Sequence, residues 1–338
     1  MARSAQAPTV YDVARLAGVS QATVSYVVNG RRNGKARISD ETRERVTAAM
    51  AELGYVPNDT ARSLRRQRTD RVCVLVSRLG SPYVDAMVDD IQRAVAGHGF
   101  STVIAVGGAP ERERQVLEQL HRRLADGAIV DAPSVDTAAL ARLASANVAI
   151  VALSNHLEPD GFDVIRTTEA AACDEAMDHL LARGHRRIAF LRHAADPGVP
   201  DPRFDSYRRA LAAAGLPLDE GLIRSGAASR HEAYGVASEL LEREERPTAI
   251  FSSSDIGALS AIWAAEAAGL RVPDEVAVLG VGNIPEGAIA RPPLTTVGPE
   301  AIDFAGVADL LLSRLAGQAP ATGRVLVQPW SFIRRASA

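Results

Sequence analysis

Residues 10–29 read VYDVARLAGVSQATVSYVVN, a pattern that predicts two short helices joined by a tight turn. Val13 places a small apolar group on the buried face of the first helix, and Val24 does so in the second. Gly18 can adopt the left-handed conformation that ends a helix, and Ser20 can cap the helix that follows. This arrangement is typical of a helix-turn-helix, whose second helix enters the major groove of DNA.

The charge distribution favours this DNA-binding interpretation over an ordinary corner between two helices of an enzyme. The first 70 residues contain 12 Lys and Arg against 7 Asp and Glu, whereas the whole chain has a net charge of −3. The remainder of the chain is therefore acidic. A basic head on an acidic body is what a phosphate-binding module attached to a separate domain requires.

Composition places the chain among globular proteins. Its 338 residues are 47% hydrophobic and 23% charged, which suits two or three compact units. Cys73 and Cys173 lie far apart, which excludes a disulfide scaffold and is typical of a reducing cytoplasm. No apolar signal-peptide region opens the chain, and no apolar run is long enough to span a bilayer. We therefore expect a cytoplasmic protein without membrane contact.

From residue 71 onward, short apolar runs alternate with amphipathic stretches. Strands are predicted at residues 72–76, 102–106, 128–130, 149–153, 188–191, 249–252 and 276–281. Helices are predicted at residues 83–96, 111–124 and 136–144. This alternation indicates buried parallel sheets. The residues alone support a parallel α/β core, but not its division into lobes.

Two further elements are predicted near the N-terminal head. A third helix begins after Ser39, a good capping residue, and ends at Gly54. Residues 58–70 are polar and Arg-rich, which predicts a linker with a short helix at its start. So short a helix is marginally stable in isolation.

Several motifs are spread over nearly the whole chain. They include Tyr11-Asp-Val-Ala, Ala17-Gly-Val-Ser20, Thr23-Val-Ser25, Leu53-Gly-Tyr-Val-Pro-Asn58, Ala61-Arg-Ser-Leu64, Gly184-His-Arg-Arg-Ile188, Gly269-Leu-Arg-Val-Pro273 and Pro292-Pro-Leu-Thr-Thr-Val297. In these motifs the chain resembles the lactose-repressor (LacI/GalR) family of bacterial transcription regulators. The resemblance implies a helical DNA-binding head at residues 1–57 and a hinge helix with linker at 58–70. It also implies a two-lobed core at 71–338, with parallel sheets like those of periplasmic binding proteins.

Helix geometry selects the residues that read DNA bases. The N-terminal part of the second helix faces the groove floor, and Gln21, Ala22 and Tyr26 lie there. Gln21 can pair bidentately with adenine, and Ala22 can contact a thymine methyl group. Tyr26 stands where the family often has Arg, and it cannot make the bidentate pair of Arg with guanine. The alternative for Tyr26 is a packing role.

Other residues are expected to position the head on DNA without reading its sequence. The hydroxyl and amide groups suited to phosphates are those of Ser20, Thr23, Ser25 and Asn29. The resemblance assigns Asn58, Ala61 and Leu64 to the hinge. There the family Leu wedges into the minor groove and kinks the duplex. Packing of Leu64 onto the core is the alternative.

The resemblance also implies an effector site between the lobes. Its candidate residues are Tyr83, Ser154, Arg203, Ser254, Asp255 and Gly282. Arg203 matches a family Arg that holds hydroxyl or acid groups of the ligand, and Tyr83 either stacks on a ligand or belongs to the core. Ser154 and Gly282 stand where the family has Asp. The residues thus favour an ordinary hexose less than is usual for the family, and they give more weight to an acidic, modified or unknown effector, or to none.

The sequence therefore predicts a sequence-specific transcriptional regulator, a repressor, that binds a pseudo-palindromic double-stranded DNA operator as a homodimer. A small molecule between the lobes, such as a sugar or a sugar derivative, is expected to control it. Action with a corepressor, or without any effector, is the alternative. An α/β enzyme or a solute-binding protein is less favoured, because catalytic motifs and a signal peptide are absent. No cofactor and no metal are expected.

Overall fold

The computed structural model describes residues 8–28, 38–56, 66–132, 134–193 and 201–338. The chain divides into two compact units, Met1–Thr69 and Asp70–Ala338. Helices make up the described regular structure of the first unit, and the second contains two six-stranded sheets. No helix among the described residues is both long and apolar enough to cross a bilayer.

The first unit packs helices α1 (Val10–Ala17), α2 (Gln21–Val28) and α3 (Asp40–Leu53) around a small apolar core. Val13 of α1, Val24 of α2 and Val46 of α3 are completely buried. Each helix thus contributes one valine to a shared centre, as the apolar pattern predicts for α1 and α2. Burial of these side chains provides the main stabilisation, because isolated helices this short are marginal in water.

Local hydrogen bonds define the turn between α1 and α2. Gly18 has a φ of 64°, the left-handed conformation that glycine adopts without strain. The Val19 amide donates to the Ala14 carbonyl oxygen at 3.0 Å and closes the turn. The Ser20 hydroxyl then accepts from the Thr23 amide at 3.1 Å, so Ser20 caps α2 as the sequence predicts.

The second unit alternates strands with helices. Its strands are β1 (Arg71–Val76), β2 (Ser101–Val106), β3 (Gly127–Asp131), β4 (Ala149–Leu153), β5 (Asp163–Thr167), β6 (Ile188–Arg192), β7 (Ile223–Ser225), β8 (Ala249–Ser252), β9 (Ala277–Val281), β10 (Thr295–Gly298), β11 (Val325–Gln328) and β12 (Ser331–Ile333). Its helices are α4 (Pro82–Ala96), α5 (Pro110–His121), α6 (Thr137–Ser145), α7 (Glu169–Ala182), α8 (Pro202–Ala213), α9 (Arg230–Leu241), α10 (Asp255–Ala267), α11 (Pro285–Ile289) and α12 (Ala305–Leu315).

The strands form two sheets, which define two lobes. Lobe 1 contains the sheet β11-β5-β4-β3-β1-β2, and all of its neighbouring strands are parallel. Lobe 2 contains the sheet β12-β10-β9-β8-β6-β7, in which only the β10–β12 pair is antiparallel. The sequence-based expectation of parallel sheets in two lobes is confirmed.

Helices cover both faces of the lobe 1 sheet, which explains the continuous apolar runs. Val72 and Val74 of β1 pack on the side of α4 and α12. Cys73 and Leu75, which alternate with them, pack on the side of α5 and α6. All four are completely buried. Both faces of such a strand must be apolar, because a parallel sheet is enclosed on either side.

The chain crosses between the lobes three times. It leaves lobe 1 after β5, returns between β10 and α12, and leaves again between β11 and β12. The predicted strands are present, but β5, β7, β10, β11 and β12 are additional. The helix predicted at residues 111–124 ends at His121, because the next residues form a turn in which Arg123 has a φ of 67°.

Candidate functional site

The N-terminal half of α2 presents an exposed face. Gln21 and Ala22 are exposed, and Tyr26 one turn later is 49% exposed. Val24, on the opposite side, is completely buried against α1 and α3. The side chains predicted to read bases therefore share one accessible surface of the first unit, and Tyr26 is not a core residue.

Hydroxyl groups flank this face. Ser20 is exposed, and its hydroxyl lies 2.9 Å from that of Thr23. Thr23 and Ser25 are half-buried. Four further residues predicted to contact DNA lie outside the described residues, namely Asn29, Asn58, Ala61 and Leu64. The described part of the predicted DNA surface is thus the start and the exposed side of α2.

A cavity of about 560 Å³, here called the cleft, lies in the second unit. Its lining includes residues at or just after the carboxyl ends of strands from both lobes. Open parallel sheets bind their ligands at this edge. The cleft brings together all the sequence-predicted effector residues: Tyr83, Ser154, Arg203, Ser254, Asp255 and Gly282.

Arg203 lies in the first turn of α8, and the protein itself holds its guanidinium group. Its Nε donates to the carboxylate of Glu169, and its Nη1 donates to the backbone carbonyl oxygen of Ser253. The Glu169 side chain is 9% exposed and that of Arg203 is 24% exposed. Glu169, which the sequence analysis missed, therefore neutralises Arg203 from within the fold.

Asp255 begins α10 and is 1% exposed. One carboxylate oxygen accepts from the Thr296 hydroxyl at 2.5 Å, and the other accepts from the Ile284 amide at 2.8 Å. Burial raises the pKa of the Asp255 carboxyl to about 6, although these hydrogen bonds act in the opposite direction. Asp255 thus fixes the loop that follows β9.

Gly282 and Ser154, which stand where the family has Asp, both contribute to the local backbone structure. Gly282 has a φ of 135°, which residues with a side chain rarely adopt. The Ser154 hydroxyl accepts from the amides of His156 at 3.2 Å and Leu157 at 3.3 Å, so it stabilises the turn after β4. Neither position offers a carboxylate to a ligand.

Tyr83 and Ser254 are also held by neighbouring groups. The Tyr83 ring meets the rings of Phe304 and Trp330 edge-on, with centroids 5.1 Å and 5.8 Å away. Tyr83 therefore belongs to the core while it also lines the cleft. Ser254 caps α10, because its hydroxyl accepts from the Gly257 amide at 3.0 Å.

Some polar atoms of the cleft have no hydrogen-bond partner among the described residues. They include Ser253 Oγ, Gln328 Oε1 and Trp330 Nε1. Asp131, the last residue of β3, also lines the cleft, and no described residue donates a hydrogen bond to its carboxylate. The sequence analysis missed these residues. Asp131 could have been found, because it directly follows the predicted strand at residues 128–130.

The charged side chains of the cleft do not form a metal site. Among the residues that the structure describes, no group of three or more His, Cys, Asp or Glu side chains is arranged to hold a metal ion. The described groups of the cleft can instead form hydrogen bonds, ion pairs and contacts with aromatic rings.

Comparison with known proteins gives matches for both units. Residues 9–58 match the family described as "Bacterial regulatory proteins, lacI family", and residues 177–338 match a periplasmic binding protein-like domain. The HTH-type transcriptional regulator DegA of Bacillus subtilis is 33% identical over 294 residues, which cover 86% of this chain and 86% of that protein.

Solved structures match nearly the full length. A complex of the transcriptional regulator CelR with cellobiose has a TM-score of 0.65 and 30% identity, and the match covers 98% of this chain and 100% of that one. The lac repressor dimer bound to operator and the anti-inducer ONPF has a TM-score of 0.74 and 28% identity, with 98% and 99% covered. The chain belongs to the lacI family of bacterial regulatory proteins and is a DNA-binding transcriptional regulator.

Proposed function

We propose that this chain represses transcription as a homodimer on a pseudo-palindromic operator, under the control of a small molecule bound in the cleft. The observation that carries the proposal is the cleft itself, which residues from both lobes line at the carboxyl ends of their strands. The exposed face of α2 supports the DNA-binding part. Two such helices related by a two-fold axis require matching half-sites in the DNA.

In this proposal the DNA contacts divide into two kinds. Gln21, Ala22 and Tyr26 read base edges in the major groove. Phosphate contacts come from Ser20, Thr23, Ser25 and Asn29, and hinge contacts come from Asn58, Ala61 and Leu64. The corresponding domains are residues 1–57 for the head, 58–70 for the hinge and linker, and 71–338 for effector binding and dimerisation.

The effector binds among the residues that line the cleft. A volume of about 560 Å³ suits a ligand of sugar size. The CelR structure contains cellobiose, and the lac repressor structure contains ONPF and a dimer on operator DNA. These similarities support a sugar or a sugar derivative here. The chain then acts in the cytoplasm as a regulator and not as an enzyme.

Selection of binding sites from random DNA tests the proposal. The expected product is a pseudo-palindrome with two half-sites. If two heads and hinges neutralise roughly ten phosphates, log K falls against log salt with a slope near −9. Binding without sequence preference, or a slope shallower than about −3, contradicts the proposal.

The same operator serves to test effector control. A ligand that binds the cleft changes operator affinity by some factor, and operator DNA must change ligand affinity by the same factor. The sign of the change distinguishes an inducer from a corepressor. A cleft ligand that leaves operator affinity unchanged contradicts small-molecule control.

A further inference from the structure

We propose that the ligand of the cleft is a polyhydroxylated molecule that carries a positively charged amine, and that the amine binds Asp131. This inference rests on the proposed function, because it names the chemical class of the effector.

Carboxylates outnumber positive groups in the cleft. Its acidic side chains are Glu113, Asp131, Glu169, Asp201 and Asp255, and its guanidinium groups are Arg78, Arg192 and Arg203. His193 adds no charge near neutral pH, because burial and the nearby arginines lower its pKa to about 3. The formal charge of the described lining is thus negative, and this charge would repel an anionic ligand.

The arginines of the cleft are already engaged with protein groups. Arg203 is paired with Glu169, as described above. Arg192 lies 3.5 Å from a carboxylate oxygen of Asp201 and 4.6 Å from the ring centroid of Phe204. Arg78 donates to a backbone carbonyl oxygen at 2.7 Å. At Arg203, an acidic ligand would therefore have to compete with partners that the fold supplies. Arg192 Nε has no hydrogen-bond partner among the described residues.

Helices α4, α5, α7, α8 and α10 each place a residue of their first turn in the cleft lining, and helix N-termini can bind anions. Side chains cap two of these termini. The Asp201 carboxylate accepts from the Phe204 amide at 3.1 Å at the start of α8. The Ser254 hydroxyl accepts from the Gly257 amide at the start of α10. The termini of α8 and α10 are therefore already occupied, whereas those of α4 and α5 have no side-chain cap.

Asp131 differs from the other carboxylates of the cleft. Glu113 accepts hydrogen bonds from Ser134, whereas Glu169, Asp201 and Asp255 have the partners given above. No described residue donates to Asp131. Burial raises the pKa of its carboxyl to about 6, which leaves it mostly ionised at neutral pH. Asp131 is only half-buried, so its carboxylate is accessible from the cleft, and a ligand ammonium group would supply both donors and charge.

The uncharged polar side chains of the cleft can form hydrogen bonds with hydroxyl groups of the ligand. Ser253 is 1% exposed and Trp330 is 8% exposed, and both have a side-chain polar atom without a partner. Trp330 Nε1 is a donor only, whereas Gln328 Oε1 is an acceptor only. A hydroxyl group can satisfy either, because it donates and accepts. A ligand with several hydroxyls therefore matches this part of the lining.

The missing family carboxylates gave weight to an acidic, modified or unknown effector, or to none, and an amino sugar is a modified sugar and not an acidic one. Ser154 and Gly282 lack the carboxylates that the family has at these positions. The structure adds Asp131, an acceptor at another strand end, and Glu169, which neutralises Arg203. The cleft therefore retains a carboxylate for the ligand, and two of its three arginines, Arg192 and Arg203, lie beside carboxylates of the protein.

Calorimetry on the full-length protein with matched sugars tests this inference. The probes are glucosamine, galactosamine and mannosamine, their parent hexoses, their N-acetyl derivatives and the corresponding uronates. The buffer must exclude Tris, which is itself a polyhydroxylated amine. We expect the tightest ligand to be an amino sugar, bound about tenfold more tightly than its parent hexose and its uncharged N-acetyl form.

Two variants locate the amine. Asp131→Asn should reduce the ratio of affinities for the amino sugar and its parent hexose to nearly one. Glu118 is an exposed residue of lobe 1 outside the cleft, so Glu118→Gln should leave this ratio unchanged. Thermal melting of both variants verifies that they fold. A preference that survives in Asp131→Asn overturns the assignment to Asp131.

The outcomes separate the ligand class from the proposed function. A uronate or a parent hexose that binds more tightly than the amino sugar, and alters operator affinity, overturns the amine but preserves effector control. If no probe binds, the amino-sugar inference is wrong, whereas effector control is still tested by other cleft ligands. Operator selection, measured without any ligand, then still decides the DNA-binding part.

Discussion

Arg78 of lobe 1 donates a hydrogen bond from Nη1 to the backbone carbonyl oxygen of Ala228 of lobe 2, across 2.7 Å. Arg78 follows β1, and Ala228 precedes α9. Both residues line the cleft, so the bond spans it directly. It differs from the three chain crossings because it can break without any change in the path of the backbone.

Arg78→Ala should therefore loosen the contact between the lobes. A hydrogen bond from a charged donor stabilises by about 1.5–3 kcal/mol, and Ala228 loses its donor in the variant. Hydrogen exchange should become faster at the start of α9. Arg93→Ala, which removes a surface arginine of α4, is the matched control and should leave this region unchanged. Equal exchange in both variants would show that the bond does not hold the lobes.

Glu169→Gln should destabilise the protein by about 3 kcal/mol, because it leaves the Arg203 charge without its buried partner. The measurement is urea unfolding. The control is Glu158→Gln, which breaks the ion pair with Arg166 on the surface, where the Glu158 side chain is 75% exposed. That change should cost less than about 1 kcal/mol. Similar losses in the two variants would argue against a neutralising role for Glu169.

Gly282→Ala should lower the free energy of unfolding by about 1–3 kcal/mol, since alanine is strained at a φ of 135°. Gly235→Ala is the matched control. Gly235 lies within α9, and a Cβ atom there would meet open space. Alanine should stabilise that helix by about 0.4–1 kcal/mol. The free energy of unfolding should therefore fall in Gly282→Ala and rise in Gly235→Ala. An unchanged free energy of unfolding in Gly282→Ala would contradict backbone strain at this position.

Asp255 should make stability depend on pH in a defined direction. Its pKa in the fold is about 6, above the ordinary value of 3.8. Between these values the folded state keeps a proton that the unfolded state releases. The contribution of Asp255 to the free energy of unfolding therefore decreases as the pH rises through this window.

Asp255→Asn measures this contribution, because the amide cannot ionise. The difference in unfolding free energy between the natural protein and Asp255→Asn should change by about 2–3 kcal/mol from acidic to neutral pH, in favour of the variant at neutral pH. Urea unfolding at several pH values checks it. A difference that stays constant with pH would show that Asp255 does not titrate in this range.

Tyr26→Arg should change the preferred base at one symmetric pair of operator positions. Arginine can bind guanine bidentately, which gives about 1–3 kcal/mol of discrimination between bases. Tyr11→Arg is the matched control, because Tyr11 is 59% exposed on α1 and the substitution adds the same charge. Site selection with both variants is the measurement. An unchanged motif for Tyr26→Arg would mean that Tyr26 does not read a base.

The sequence predicted the parts of the fold that depend on local patterns. β1 is buried on both faces and reads as a continuous apolar run, so its strand was evident. β11 was not, because Val325 to Val327 are exposed at a sheet edge. Its place is set by pairing with β5, about 160 residues earlier, and no local pattern records such a partner.

Some residues of the cleft could be predicted from the sequence, but their hydrogen-bond partners could not. The family resemblance pointed to Arg203 and Asp255, and both lie in the lining of the cleft. Their partners were not predictable. Glu169 precedes Arg203 by 34 residues and lies on a different helix. Thr296 follows Asp255 by 41 residues and lies on a strand, whereas Asp255 begins a helix. Only the packed fold reveals that these side chains are already paired.

The route of the chain through the two lobes determines when each part can fold during synthesis. Lobe 1 begins with β1 at Arg71, but it needs α12 (Ala305–Leu315) to cover one face and β11 (Val325–Gln328) to complete its sheet. A ribosome produces these segments only after all of lobe 2 except its final strand. The helical head has its own core and emerges first. A nascent chain can therefore present a folded DNA-binding head before the part that responds to ligand is complete.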